Sequence, residues 1–161
     1  MRFSHYFALG ISAGLILCWG CEFPRDPHGT ADRVRGHVLR VGMTQQAPWA
    51  VEQNGERSGF EVELVQKLAA EQQAKIVWQA GNESELVKRL ERGELDLAIG
   101  GFVRPTPWEG RVALTRSWGD AAGLEHVFLV PPGENRWLLL LDRWLAAHAE
   151  EIRQWNDRKG V

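Results

Sequence analysis

The sequence predicts an α/β fold, a single domain whose mostly parallel sheet is flanked by helices and closed by a long C-terminal helix. Its 161 residues fit one ordinary domain and leave too little chain for two. Between residues 38 and 99, short β-type runs alternate with amphipathic segments, which is the order expected of βαβ units. From residue 134 to 155, apolar residues recur at helical spacing, which predicts one long closing helix.

The individual elements follow from changes in this periodicity. Residues 60–73 are apolar at helical spacing and form the first predicted helix. Asn82 or Ser84 can cap a second helix, which Gly93 ends. The predicted strands are residues 38–43, 75–79, 95–99, 112–115 and 126–130.

Composition excludes several classes of protein. Hydrophobic residues make up 44% and charged residues 25% of the chain, values typical of soluble globular domains and not of disordered, fibrous or multi-span membrane proteins. The net charge of −2 provides no basic surplus for a phosphate backbone, so nucleic acid is not expected as a partner. With two cysteines, both near the N-terminus, the body of the protein cannot hold a disulfide framework.

Residues 1–20 are interpreted as an export signal of the lipoprotein type. Arg2 and His5 open a short basic region, and the twelve uncharged residues 6–17 are too few to span a bilayer, which takes about 20. The run ends in CWGC at residues 18–21, which resembles a bacterial lipobox with Cys21 as the residue that would be lipidated. Membrane anchoring on the periplasmic side is therefore expected.

Two other interpretations of this N-terminal region stay open. One is plain secretion of a soluble product. The other treats Cys18 and Cys21 as a C-x-x-C redox or zinc pair, although the pair ends an apolar leader and lacks further ligands at a recognisable spacing. Residues 21–37 carry proline, glycine and mixed charge without apolar periodicity, which predicts a tether, and residues 38–161 are then the domain.

Five segments in the first part of this domain carry a resemblance to a known family. They are LRVG at 39–42, PW at 48–49, GFEVEL at 59–64, L-x-x-GELDLA at 90–98, and TP at 106–107 followed by VALTRSW at 112–118. In this order they resemble the bacterial extracellular solute-binding proteins of family 3, the periplasmic receptors of amino-acid ABC transporters. The resemblance resumes at residues 126–148, which match the returning strand, the turn and the closing helix of that family.

The resemblance implies one lobe of a receptor that normally has two. Only residues 119–124 separate the two matching stretches, whereas a domain needs at least about 50 residues. The expected fold is thus a single periplasmic-binding-protein-like lobe. Ligands of open α/β sheets lie beyond the carboxyl ends of the strands, which here means residues 44–49, residues 100–109 and the region of Asn82.

Four residues are candidates for contact with a solute. Trp49 falls where the family places an aromatic residue that borders the ligand, although it could equally pack over the sheet edge. Arg104 stands at the family's Ser/Thr position for the ligand carboxylate, and Arg111 reaches the family's arginine position if one residue is deleted. Either guanidinium could hold a carboxylate, or could be a solvated surface group. Trp108 is expected as a cleft wall or an exposed interface residue.

The sequence therefore predicts an exported solute-binding-like lipoprotein for an amino-acid-like solute. It would be a component of, or accessory to, an ABC transporter or sensor, with a membrane permease or another protein as partner. The alternative is an interaction module that keeps the lobe as a scaffold and binds no ligand. No catalytic, cofactor or metal fingerprint is present in the sequence. Cyclohexadienyl dehydratases of the same fold need a closed two-lobed cleft, so no enzymatic activity is expected.

Overall fold

A computed structural model describes residues 25–159, so the predicted leader with Cys18 and Cys21 lies outside the described residues. Among the described residues, the helices are α1 (Thr30–Val34), α2 (Phe60–Glu71), α3 (Glu83–Glu91), α4 (Asn135–Ala147) and α5 (Ala149–Lys159). The strands are β1 (Val38–Met43), β2 (Val51–Gln53), β3 (Glu56–Ser58), β4 (Lys75–Ala80), β5 (Leu97–Ile99), β6 (Val103–Arg104), β7 (Ala113–Leu114), β8 (Trp118–Gly119), β9 (Glu125–His126) and β10 (Leu129–Val130). Within this part of the chain, no helix has both the length and the apolar character needed to cross a bilayer.

A five-stranded sheet in the order β4-β1-β5-β10-β7 forms the centre of the lobe. Strand β1 pairs in parallel with both β4 and β5, while β10 is antiparallel to β5 and β7. Every residue of β5 is fully buried, as expected for a central strand covered on both faces. The predicted α/β fold with a mostly parallel sheet is confirmed.

Helices cover both faces of this sheet. Helices α1, α2, α4 and α5 contribute to one apolar cluster, and α3 contributes to the other. Asn82 caps α3 as predicted, because its Oδ1 accepts the Glu85 N–H at 3.0 Å. Strands β2 and β3 form a separate hairpin whose turn is Asn54-Gly55, both with positive φ.

The single strand predicted for residues 126–130 is divided between two sheets. His126 in β9 pairs with Val103 and with Trp118, in a small antiparallel sheet of the order β6-β9-β8. Three residues later, Leu129 in β10 pairs within the central sheet. The N–H of Phe128 is satisfied by the Thr115 hydroxyl at 2.9 Å, so the chain can change sheets without leaving this donor unpaired.

The predicted closing helix is also interrupted. Helix α4 ends at Ala147 with His148 as its C-cap, and α5 begins at Ala149. The Trp144 carbonyl accepts the His148 N–H at 3.1 Å, and the His148 Nδ1 lies 2.8 Å from the same oxygen. Because Trp144, Ile152 and Trp155 are all buried, the apolar face continues across the break, and periodicity alone does not reveal it.

The lobe begins earlier in the chain than predicted. Residues 25–37 fall in the predicted tether but include α1, whose Ala31 and Val34 are buried in the core. At the start of this segment, the Arg136 N–H donates to the Arg25 carbonyl at 3.1 Å. The tether prediction is therefore wrong for residues 25–37, because tertiary contacts order a segment that has no apolar periodicity of its own.

Two buried carboxylates hold this N-terminal segment. Glu134 accepts the N–H groups of His28 at 3.0 Å and Thr30 at 3.2 Å. Burial acts to raise the pKa of Glu134, but these hydrogen bonds outweigh it and the pKa is lowered. Asp96, which is 0% exposed, accepts the Arg40 N–H at 2.8 Å and the Arg40 guanidinium at 2.6 and 3.1 Å, and it also pairs with Arg33.

Trp137→Ala should lower the free energy of unfolding by about 3–5 kcal/mol. Trp137 is 0% exposed, and its indole N–H donates to the Asp96 carbonyl at 2.8 Å, so truncation leaves both a cavity and an unpaired acceptor. Urea denaturation followed by circular dichroism measures this change. Leu139→Ala on the same helix is the control, because Leu139 is exposed and its loss should change stability by no more than about 0.5 kcal/mol. Equal effects of both variants would contradict the assignment of the buried face of α4.

Candidate functional site

The carboxyl ends of β1 and β5 lie side by side and define a solute edge, formed by residues 44–49 and 100–104. The Thr44 N–H donates to the Ile99 carbonyl at 3.1 Å, which joins the two strand ends. Gly100 and Gly101 have φ values of 142° and 71°. A Cβ on Gly100 would lie 2.2 Å from the Thr44 methyl group, and one on Gly101 would lie 2.7 Å from the Trp49 ring. Both glycines are therefore required by close packing as well as by backbone conformation.

Glu61 ties this edge to the first turn of α2. Its Oε2 accepts the N–H of Gly100 at 2.7 Å and that of Gly101 at 2.9 Å. Its Oε1 is buried and has no hydrogen-bond partner among the described residues. Burial raises the pKa of Glu61 to about 7 from its ordinary value of 4.5, although the two glycine N–H groups act in the opposite direction.

Trp49 lies beneath the solute edge. The indole is 5% exposed, with its ring centroid 3.8 Å from that of His126 and 5.9 Å from that of Trp155. Trp155 also stacks on Phe60 at 4.0 Å, so α5 covers this aromatic cluster. Of the two positions expected for Trp49, the structure shows packing over the sheet edge. The ring has no face open to solvent.

Arg104 is the candidate residue that stays half-exposed on the solute edge. One guanidinium nitrogen donates to the Thr115 carbonyl at 3.2 Å, and another lies 3.6 Å from the Glu109 carboxylate. The contact with Glu109 is longer than a hydrogen bond, and both side chains reach solvent. A carboxylate from solution could therefore compete with Glu109 for this guanidinium.

Trp108 and Arg111 lie together along α3 and are engaged with its carboxylates. The Arg111 guanidinium binds Glu91 through two hydrogen bonds of 2.8 and 2.6 Å and lies 5.6 Å from the centre of the Trp108 ring. The Trp108 indole N–H donates to Glu83 at 3.2 Å. The structure thus groups Trp108 with Arg111 and separates this pair from the aromatic cluster around Trp49.

A buried His–Asp pair lies behind the edge. His126 Nε2 is 2.9 Å from Asp120 Oδ2, and both side chains are almost completely buried. Burial acts to raise the pKa of Asp120, but hydrogen bonds from His126 and from the Leu124 N–H lower it overall. The pair ties the turn after β8 to β9 beside the Trp49 ring.

Sequence reasoning assigned no role to Glu61, Asp96 or the His126–Asp120 pair. A signal was present for two of them, since Asp96 lies between two leucines of a predicted central strand and Glu61 lies between Phe60 and Val62. A charge enclosed in an apolar run is buried only with partners, and those partners are distant in the chain. The sequence alone therefore cannot name the glycine N–H groups or the arginines that bind these carboxylates.

Glu61→Gln should remove a pH dependence of stability. The folded-state pKa of Glu61 lies above its unfolded value, so its contribution favours folding at low pH and is lost as pH rises from about 4.5 to 7. Between pH 5.5 and 7.5 the native chain should lose about 2 kcal/mol more than the variant. Urea unfolding at both pH values measures this difference. Glu63→Gln, at an exposed position in the same helical turn, should keep the native pH dependence. An identical pH profile for the Glu61 variant would contradict the raised pKa.

Comparison with known sequences places these features in a family. The model of "Bacterial extracellular solute-binding proteins, family 3" matches residues 39–152, more than half of the chain. A curated relative is the "Probable amino-acid-binding protein YxeM" of Bacillus subtilis (strain 168), 38% identical over 61 residues. That match spans 37% of this chain and only 23% of the length of the relative.

Solved structures show the same fold, one of them an isolated domain. A variant of the arginine-bound form of domain 1 from TmArgBP has a TM-score of 0.67 at 22% identity, over 74% of this chain and 98% of that one. The ancestral amino acid-binding protein AncCDT-1, a precursor of cyclohexadienyl dehydratase, has a TM-score of 0.64 at 14% identity, over 75% of this chain and 93% of that one. At these identities the structures show the fold alone. Together with the family match over residues 39–152, they establish that the chain belongs to the bacterial extracellular solute-binding proteins of family 3 and has the fold of one lobe.

Proposed function

We propose that this chain is an exported, lipid-anchored solute-binding protein that recognises an amino-acid-like solute through a single lobe. The observation that carries the proposal is the family match over residues 39–152, which includes both strand ends of the solute edge. In this role the lobe serves an ABC transporter or a sensor on the outer side of the membrane. Its activity is recognition and not catalysis.

The comparison with TmArgBP supports recognition by one lobe. That structure is named as the arginine-bound form of domain 1, and the present chain covers 98% of it. A small amino acid would meet polar groups at the solute edge of this chain, where Thr44 and Arg104 are partly exposed and Gln46 is exposed. The Arg104 guanidinium is the group that would bind the solute carboxylate, replacing the long contact with Glu109.

A single open lobe should bind its solute weakly. Small-molecule sites usually bury about 70–90% of the ligand surface, and two-lobed receptors reach this by closing around a hinge. One lobe covers one side of the solute only. We therefore expect a dissociation constant between about 0.1 and 1 mM for the monomer, with tighter binding only when a second copy or a partner protein covers the solute edge.

The interaction-module alternative is supported by a specific observation. Trp49 is covered by α5, and Trp108 and Arg111 are occupied by Glu83 and Glu91. Three of the four candidate residues are thus satisfied within the lobe. In this alternative, the lobe is a scaffold and a protein partner binds it without a solute.

Titration with single amino acids distinguishes the two proposals. Calorimetry of the monomer with arginine, lysine, glutamate and leucine should show saturable binding of at least one at about 0.1–1 mM. Arg104→Gln should weaken this binding at least fivefold, since it removes the charge that meets the carboxylate. Arg111→Gln is the matched control and should leave the affinity unchanged, because Glu91 already occupies that guanidinium.

The outcomes of this titration are separable. No heat up to about 10 mM of any of the four amino acids would favour the interaction module. Micromolar binding by a proven monomer would contradict the expectation that one lobe alone binds an amino acid weakly. Equal effects of Arg104→Gln and Arg111→Gln would contradict the assignment of the carboxylate site to Arg104. Thermal unfolding of each variant checks that the lobe remains folded.

The lipid anchor is tested at Cys21. Cys21→Ser should release the protein from the membrane fraction or leave an uncleaved precursor, because a serine provides no thiol for lipid attachment. Cys18→Ser is the matched control and should be processed and retained normally. Fractionation and intact mass of the mature protein measure both outcomes. Unchanged mass and membrane retention in Cys21→Ser would contradict the anchor.

A further inference from the structure

Helices α1 and α4 form a groove that is separate from the solute edge. Its volume is about 450 Å³, and we call it the basic groove because half of its lining residues are arginines and none is acidic. The lining residues are Ala31, Arg35, Arg136, Leu139, Leu140 and Arg143. Neither helix carries a residue of the solute edge, so the function proposed above makes no use of this groove.

The groove carries positive charge that the lobe does not neutralise. Arg136 pairs with Asp32 at 2.6 Å at the rim. Within residues 25–159, no ion pair involves Arg35 or Arg143, and both side chains are exposed. Two nearby carboxylates are otherwise engaged: Asp142 accepts the Arg116 N–H at 2.7 Å, and Glu134 is buried against His28. The groove therefore favours an anionic partner.

An exposed apolar side chain lies among these arginines. Leu139 is 36% exposed and stands three residues after Arg136 and four before Arg143, so all three lie on one face of α4. Arginine stems pack along apolar surface while their charged ends reach the phosphate level of a membrane. Basic side chains on the polar face of a helix are attracted to anionic lipids, and an exposed leucine between them adds an apolar contact at the level of the headgroups.

The short distance in sequence between Cys21 and the groove would also bring the α1–α4 face towards a membrane. The Arg25 carbonyl accepts the N–H of Arg136, so the described chain begins beside the groove. Cys21 is four residues before Arg25 in the sequence. Four residues span at most about 14 Å when fully extended. A lipid on Cys21 would thus hold the basic groove within that distance of the bilayer surface.

We propose that the basic groove docks on the headgroups of anionic phospholipids, so that the lobe lies on the membrane by its α1–α4 face. The orientation rests on the anchor proposed at Cys21, whereas the charge and the exposed leucine are independent of it. The phosphate groups of the bilayer would meet Arg35, Arg136 and Arg143, and Leu139 would enter the interface between them. The solute edge, built from other elements, would remain free for its ligand.

Vesicle binding tests this proposal with the full chain carrying Cys21→Ser. Cosedimentation is compared between vesicles of phosphatidylcholine and vesicles that also contain 30% phosphatidylglycerol. The leader contributes to binding of both vesicle types, so the readout is the ratio of the two partition coefficients. The ratio should exceed about tenfold at 50 mM salt and fall sharply at 500 mM salt.

Matched double variants separate the groove from net charge. Arg35→Gln with Arg143→Gln should lower the ratio about tenfold. Arg92→Gln with Arg158→Gln removes the same charge from exposed positions outside the groove and should change the ratio less than threefold. Leu139→Ser should weaken binding to the anionic vesicles while preserving its salt dependence. Thermal unfolding confirms that each variant is folded.

Three results would overturn the proposal: equal binding to both vesicle types, equal losses in the two double variants, or displacement by inorganic phosphate. In the last case, 10 mM phosphate would release the protein more effectively than sodium chloride of equal ionic strength, which would mark a site for a soluble anion. The outcome is independent of the lipid anchor, because every protein in this experiment carries serine at position 21. Failure of the anchor test therefore leaves the vesicle ratio interpretable.

Discussion

The buried carboxylate of Asp96 is the constraint on which the arrangement of the lobe depends. A carboxylate without solvent contact needs charged or hydrogen-bonding partners, and Asp96 takes them from α1 through Arg33 and from β1 through Arg40. Its own carbonyl accepts the Trp137 indole N–H, which adds α4 to the same point. Displacing α1 would remove one of the two arginines that bind the Asp96 carboxylate, and displacing α4 would leave the Asp96 carbonyl without its indole donor. The position of α1 in turn brings the first described residues to the start of α4.

The sequence predicts best those elements whose own periodicity sets their limits. The helix predicted over residues 60–73 is α2 at Phe60–Glu71, and Asn82 caps α3 as its side-chain chemistry requires. Three features depend on tertiary contacts and carry no local signal: the packing of α1, the division of residues 126–130 between sheets, and the break at His148. At the site, the strand ends were predictable, but the partners of Trp108 and Arg111 lie at least 20 residues away.

Helix α5 covers the aromatic rings at the solute edge and thereby determines which groups a solute can contact there. The indole of Trp155 stacks on Phe60 and approaches Trp49, so the aromatic rings of this edge are used for packing. What remains towards solvent is mainly polar, the side chains of residues 44–46 and the Arg104 guanidinium, beside the small apolar residues Ala47 and Pro48. Recognition at such a surface depends on charge and hydrogen bonds more than on stacking. Glu61 contributes indirectly, because it orients the glycine N–H groups beneath that surface.

The short turn between β8 and β9 is a position where a second lobe could be inserted into the chain. Gly119 and Glu125 are cross-strand partners, and the turn is closed by the Asp120 N–H and the Leu124 carbonyl at 3.1 Å. The chain thus leaves and re-enters the lobe at adjacent backbone positions. A folded body inserted there needs no rerouting of any strand, and its removal leaves every sheet pairing in place. The position of this turn is therefore compatible with gain or loss of a second lobe by a single insertion or deletion.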